Sequence, residues 1–251
     1  MDWRSWDGDP SIVESLSFKE EAPPPNFTLS EPLAIGQSYK QEETYVWTGK
    51  EKGKTIAIKL PRPMTLRSVN SLGGCTVQND GLYSQTMNEI IVLKDLQKST
   101  YNGTEKLIDI FWQLLRAENS LQPYIVTEFC QGENLMASVN HIHHGRKLPG
   151  PRPVALQDKL NLSLIRKIMR NILLAVAYIH SRGYVHRDLK LENIIVNPEK
   201  EHSITIIDFE FTLPVDDFGY CVPDTEGTPQ YVAPEQRNGD RHGRLADVFS
   251  L

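Results

Sequence analysis

Asp188 and Asn193 stand five residues apart in His186-Arg187-Asp188-Leu189-Lys190-Leu191-Glu192-Asn193, with Lys190 between them. Transfer of a phosphoryl group needs a carboxylate that orients or accepts the proton of the attacking hydroxyl, and an oxygen ligand nearby for Mg²⁺. A single tight loop carrying an Asp and an Asn at this spacing could supply both from one rigid element. A stretch this short also occurs as an ordinary charged surface, so its meaning depends on what else the chain carries. Three more segments bear on it. Ile56-Ala57-Ile58-Lys59 lies upstream. Asp208-Phe209-Glu210, preceded by the apolar Ile204-Thr205-Ile206-Ile207, and Gly227-Thr228-Pro229-Gln230-Tyr231-Val232-Ala233-Pro234-Glu235 lie downstream.

In this order the four segments resemble the signatures of the eukaryotic protein kinase domain: V-A-I-K with one conservative change, H-R-D-L-x-x-x-N, D-F-G and G-T-x-x-Y-x-A-P-E. The resemblance extends from about residue 35 to the last residue. It implies an α+β, bilobal fold: a small antiparallel β-sheet lobe at 31–130 and a mainly helical lobe at 131–251. Residues 1–30, polar with Pro23-Pro24-Pro25 and little hydrophobic period, read as a disordered extension. The resemblance also implies Mg²⁺ and ATP as cofactors and a protein hydroxyl as acceptor. Asp188 becomes the base or orienting group, and Lys190 offsets charge on the transferring phosphoryl oxygens. Asn193 and Asp208 become the metal ligands, whose hard oxygens suit Mg²⁺. Lys59, on an expected strand, would grip the α- and β-phosphates, held by an ion pair to Glu89 on the following helix. Val46, Ala57 and Ile195 would wall the adenine, with Thr127 as gatekeeper and Glu128 to Cys130 as the hinge. Apolar residues in strands are ordinarily plain core, which is the competing reading for the walls. Lys190 and Thr228 resemble serine/threonine rather than tyrosine kinases. Arg187 suggests control by activation-segment phosphorylation, because guanidinium binds phosphate bidentately. Thr225 is then a candidate acceptor, and Asp224 and Glu226 could instead supply constitutive charge.

The family pattern breaks in three places. Counting back from Val46, the glycine positions of the phosphate-covering loop fall on Tyr39, Gln41 and Thr44, and Gly36 lies outside that register. Glycines there let backbone N–H groups approach phosphates closely. Glu210 replaces the glycine of D-F-G and restricts the backbone after Phe209. Finally, Ala246-Asp247-Val248-Phe249-Ser250-Leu251 resembles the D-V-W-S-L that opens a central helix, in which Asp247 would brace the catalytic loop, and the chain ends there. A fragment, a truncated gene product or a domain completed by a partner would each end so, leaving apolar surface exposed. The leading expectation is an ATP-dependent serine/threonine protein kinase. The alternative is a weak or inactive pseudokinase that serves as a protein-binding module, favoured by these departures. A small-molecule phosphotransferase is disfavoured by the peptide-docking turn at Gly227 to Glu235.

The elements that must position these residues follow from periodicity. Strands are expected at residues 45–48, 55–60, 107–116 and 124–129, rich in β-branched and aromatic side chains. Residues 61–82, with Pro, Ser, Asn and Gly-Gly, read as a loop. A helix at 84–97 carries Met87, Ile90, Ile91, Leu93 and Leu96 as one stripe and holds Glu89. A longer one at 163–182, with Ser163 as N-cap and Gly183 as stop, carries Leu164, Ile165, Ile168, Met169, Ile172, Leu173, Val176 and Ile179 and delivers the chain to His186. Residues 145–153, with three prolines, read as a surface excursion.

Composition narrows the class. With 251 residues and a net charge of −5, the chain offers no electrostatic footprint for nucleic acid or an anionic membrane. Three unpatterned cysteines make a disulfide framework or zinc site unexpected. No signal peptide or membrane-spanning run is evident, so an intracellular, cytoplasmic setting is expected. His141, His143 and His144 read as solvated loop histidines, for they lack a partnering Cys or acidic pattern.

Overall fold

The protein is described here from a computed structural model covering residues 32–37, 43–51, 54–69, 75–77, 81–115, 118–144, 162–221 and 223–251. It divides into two compact units, one comprising Met1–Ile90 and Lys106–Phe129, the other Ile91–Glu105 and Cys130–Leu251.

The first unit is an antiparallel sheet. Its strands are β1 (Pro32–Gln37), β2 (Glu43–Glu51), β3 (Lys54–Leu60), β4 (Met64–Val69), β5 (Cys75–Val77), β6 (Leu107–Leu115) and β7 (Ser120–Glu128). They are ordered β1-β2-β3-β7-β4-β5, with β6 on the other edge of β7. One edge of β7 is shared: β4 pairs at Ser120 and Leu121, and β3 pairs from Ile125 to Glu128. Pro123, which cannot donate to a ladder, falls in the interval between those pairings. The Gln122 amide fills the same interval, donating to the Pro61 carbonyl at 2.6 Å. Ile56, Ile58, Tyr124 and Val126 form the buried cluster behind β3 and β7.

The β4–β5 hairpin corrects the expectation of a loop over 61–82. Met64 and Leu66 are buried while Thr65 between them is exposed, the period-two pattern of a half-buried strand. The Pro and Gly-Gly around it hid a run of only a few residues. β1 was likewise not anticipated, and it pairs with β2 through Ile35–Tyr45 and Gly36–Thr44. β7 starts four residues earlier than expected, at Ser120.

Helix α1 (Gly81–Leu96) contributes residues to both units and starts three residues earlier than expected. The second unit continues with β8 (Glu133–Asn134), α2 (Leu135–His144), α3 (Leu162–Ser181), β9 (Tyr184–Val185), β10 (Ile194–Asn197), β11 (Ser203–Ile206), β12 (Leu213–Pro214), α4 (Pro234–Arg237) and α5 (Arg244–Ser250). β10 lies between β8 and β11, and β9 pairs with β12. Asn134 caps α2, its Oδ1 accepting from the Ala137 amide at 2.8 Å. His141, His143 and His144 are therefore the last turn of a helix rather than a loop, because the apolar spacing of Leu135, Val139 and Ile142 continues through them. Within α3 the buried stripe is Ile168, Ile172, Ala175, Val176 and Ile179. Ile165 and Leu173, expected in that stripe, are exposed. Leu162 already belongs to α3, so Ser163 lies inside the helix, not at its cap. Gly183 ends it with φ of +83°, a conformation that glycine adopts without Cβ strain. Residues 1–30, the loop at Tyr39 and Gln41, and the segment 145–153 lie outside the described residues.

Candidate active site

In the first unit, Lys59 sits on β3 and Glu89 on α1. Their Nζ and Oε1 are 2.9 Å apart, with the Glu89 side chain 3% exposed. A buried carboxylate without a cation would be costly, so Lys59 and Glu89 fix one another. Val46 is paired with Lys59 across β2–β3. Ala57 stands opposite Thr127, which is buried on β7. The Glu128 amide donates to the Lys106 carbonyl at 2.9 Å, while the Glu128 side chain is exposed. Cys130 follows in the second unit, and half-buried Ile195 lies on β10 beside Asn134. Of the residues expected from the sequence as adenine walls and gatekeeper, Val46, Ala57 and Thr127 belong to the first unit and Ile195 to the second.

The second unit gathers the catalytic-loop residues. Asp188 is 1% exposed, and each of its carboxylate oxygens accepts from two donors. Oδ1 accepts from the Thr228 amide (2.8 Å) and the Thr228 hydroxyl (2.6 Å). Oδ2 accepts from Lys190 Nζ (2.6 Å) and Asn193 Nδ2 (3.2 Å). Lys190 also donates to Thr228 Oγ1 at 3.0 Å, closing a ring of contacts. Burial pulls the Lys190 ammonium pKa down, but Asp188, with Asp208 and Glu192 further off, outweighs this and raises it above the ordinary lysine value. Lys190 is therefore a fixed positive charge beside the carboxylate. Asn193 commits its Nδ2 to Asp188, also reaching the Asp188 carbonyl at 3.0 Å. Its Oδ1 is left as the atom suited to a hard cation.

Asp208 follows the end of β11, where the segment around Thr104 pairs with Ile206. Its amide donates to Glu105 Oε2 at 3.3 Å. Phe209 is fully buried with its ring 5.1 Å from the His186 ring. His186 Nδ1 accepts from the Asp188 amide (3.3 Å), so its Nε2 carries the proton facing the Ile207 carbonyl at 3.3 Å. Arg187 and Asp208 have φ of +69° and +67°. For residues with a Cβ such conformations cost about 1–3 kcal/mol each and persist only where surroundings over-determine them. For Arg187 the restraint is Asp247 on α5, which is fully buried. Asp247 Oδ1 accepts from the Arg187 amide (2.8 Å), and Oδ2 from the His186 amide (2.9 Å) and His180 Nε2 (2.7 Å).

Sequence reasoning missed Glu105, His242 and Gln236, the last donating from its side-chain amide to the Glu226 carbonyl. Glu105 sits in an irregular segment, and the other two follow the docking turn, so no spacing signal marks any of them. Among the described residues no group of three or more His, Cys, Asp or Glu side chains could hold a metal, and no helix is long and apolar enough to cross a membrane.

Comparison with known proteins agrees with this arrangement. The family model described as "Protein kinase domain" matches residues 43–251. The chain is 33% identical over 148 residues to the Hormonally up-regulated neu tumor-associated kinase homolog B of Xenopus laevis, covering 58% of this chain and 20% of that protein. It is 32% identical over 136 residues to the Maternal embryonic leucine zipper kinase of Danio rerio, covering 53% and 18%. It is 30% identical over 161 residues to the Serine/threonine-protein kinase ppk34 of Schizosaccharomyces pombe, covering 62% and 43%. The matched region is thus less than half the length of each of these relatives. With four-fifths of its length inside the family model and the Lys59–Glu89 pair and Asp188 network in place, the chain belongs to the protein kinase domain family.

Proposed function

We propose that this chain transfers the γ-phosphoryl group of Mg²⁺-bound ATP to a serine or threonine hydroxyl of a protein. The observation that supports this most is the Asp188 carboxylate, buried and held by Lys190, Asn193 and Thr228. A carboxylate so fixed is suited to orient a hydroxyl and take its proton, while the Lys190 ammonium offsets negative charge gathering beside it. The residues present fit Mg²⁺–ATP. Asn193 and Asp208 offer hard oxygens for the metal, and the Lys59 ammonium, steadied by Glu89, suits phosphate oxygens. Bound ATP supplies the phosphoryl group and the metal its charge neutralisation. Ala57, Thr127, Val46 and Ile195 are the proposed adenine contacts, with Glu128 and Cys130 as hinge. The named relatives, among them a protein called a serine/threonine-protein kinase, support that acceptor class. An acidic chain without patterned cysteines supports an intracellular location.

A second reading, a binding module without catalysis, draws support from Glu210 in place of the glycine after Asp208-Phe209 and from the glycine-free Tyr39, Gln41 and Thr44. A peptide-library phosphorylation assay run beside Mg²⁺–ATP binding separates the two. The kinase reading expects transfer to Ser/Thr peptides, reduced by about 10²–10⁴-fold in Asp188→Asn with nucleotide binding retained. It expects Asp208→Asn to abolish the Mg²⁺-dependent part of binding. A folded wild type that transfers no phosphate to any peptide would establish the binding-module reading instead.

A further inference from the structure

Arg187 is 3% exposed, and its guanidinium is hydrogen-bonded at two of its three nitrogens, with Nη2 left to an ion pair. Nε donates to His242 Nε2 at 3.0 Å, Nη1 donates to the Phe211 carbonyl at 3.0 Å, and Nη2 makes an ion pair with Asp224. A buried cation is tolerated only when an anion and hydrogen bonds compensate for lost hydration. The other groups nearby contribute less directly. Asp247 meets Arg187 through the backbone amide. Burial pushes the Cys221 thiol up to about 12, so it is neutral. His242, accepting from Arg187 on Nε2, must carry its own proton on Nδ1, which faces the Asp240 carbonyl at 3.0 Å. Glu226 lies close enough to favour the charged guanidinium.

Asp224 is prepared for this task by its own turn, since its Oδ1 accepts from the Glu226 amide at 3.0 Å. Gly227 follows at once with φ of +126°, and a Cβ there would lie 2.9 Å from the Arg187 carbonyl. The segment carrying Asp224 is therefore pressed against the backbone of the residue whose side chain Asp224 neutralises. Thr225, the neighbouring hydroxyl, is exposed with its methyl beside Gly239.

We propose that Asp224 is a positioning residue that stands in for an activating phosphate. It neutralises Arg187 and so docks the segment 212–235 on the catalytic loop in the unmodified chain. The inference rests on the kinase reading above and assigns the regulation of that same site: a phosphate on Thr225 is not required, because the guanidinium already has its anion.

The test uses the purified protein, stripped by phosphatase and shown by mass spectrometry to carry no phosphate. Its kcat is expected to match that of the untreated protein and of Thr225→Ala within about twofold. Asp224→Ala is expected to lower kcat about tenfold or more with little change in the KM for ATP, as is Asp224→Asn, which keeps the shape and hydrogen-bonding atoms. Asp224→Glu is expected to restore most of the rate, a rescue that a merely space-filling role would not show. Full activity in Asp224→Asn, or a tenfold loss on phosphatase treatment of the wild type, overturns the proposal. Should the wild type transfer no phosphate, the kinase reading fails on its own account. Limited proteolysis of the segment 212–235 then decides the placement: faster cleavage in Asp224→Asn than in wild type upholds it, and equal rates overturn it.

Discussion

Four donors from three residues converge on the Asp188 carboxylate, and the fixed orientation they impose matters more for proton transfer than any one bond. Thr228 is the member that ties two segments together, because its hydroxyl both donates to Asp188 and accepts from Lys190. Thr228→Ala removes both links. Its kcat on a peptide substrate is expected to fall about tenfold, with Thr228→Ser restoring it, since one hydrogen bond to a charged group is worth about 1.5–3 kcal/mol. Gly227 beside it makes a different prediction, of stability rather than rate. Gly227→Ala forces a Cβ into a positive-φ position and against the Arg187 carbonyl and Val232, and should destabilise the protein by about 1–3 kcal/mol in urea denaturation. That Asp188, Lys190 and Asn193 come together was legible because all three lie within one short stretch. His242 and Glu105 were not legible. Each acts across a distance in sequence, on Arg187 and on the Asp208 amide, and only the folded chain brings them there.

At the scale of elements, helix α3 was readable from its 3.6-residue stripe because one face is buried along its length. The side of the stripe was read too widely: Ile165 and Leu173 have the right residue type but are exposed, and the buried residues are Ile168, Ile172, Ala175, Val176 and Ile179. Ile172, 2% exposed in the middle of that face, carries the next prediction. Ile172→Ala should cost about 2–5 kcal/mol by the lost burial and the cavity it leaves, whereas Leu173→Ala, half-exposed, should cost well under half of that in the same denaturation experiment. The β4–β5 hairpin was illegible for the opposite reason. Its strands are six and three residues long, and a strand this short becomes recognisable only through its partners, here β7 for β4. The Lys59–Glu89 pair lies between these cases. The strand and the helix were each visible in the sequence, and the ion pair follows once β3 and α1 pack together.

At the scale of the whole molecule, the buried polar network around Arg187 couples folding to pH. Burial, the largest cause, lowers the His242 pKa below its ordinary 6.5; the Asp240 carbonyl opposes this, and the neighbouring Arg187 cation adds to the lowering. The neutral form is the one that can accept from Arg187 Nε. In the unfolded chain His242 takes up a proton as pH falls through 6.5, while the folded chain still excludes it. The folded state then binds fewer protons, so its stability is complete above 6.5 and declines as the medium becomes more acid, until the folded histidine titrates as well. His242→Gln keeps an acceptor for Arg187 but cannot titrate. The chain has seven histidines, so the difference between wild type and variant, not the wild-type curve alone, isolates this one. Melting temperatures measured from about pH 7.5 to about pH 5.5 should fall more steeply for wild type than for His242→Gln, with any wild-type advantage at the upper end shrinking on the way down. Parallel curves would mean that His242 titrates alike in the folded and unfolded chains, and that Arg187 is held without reference to its protonation.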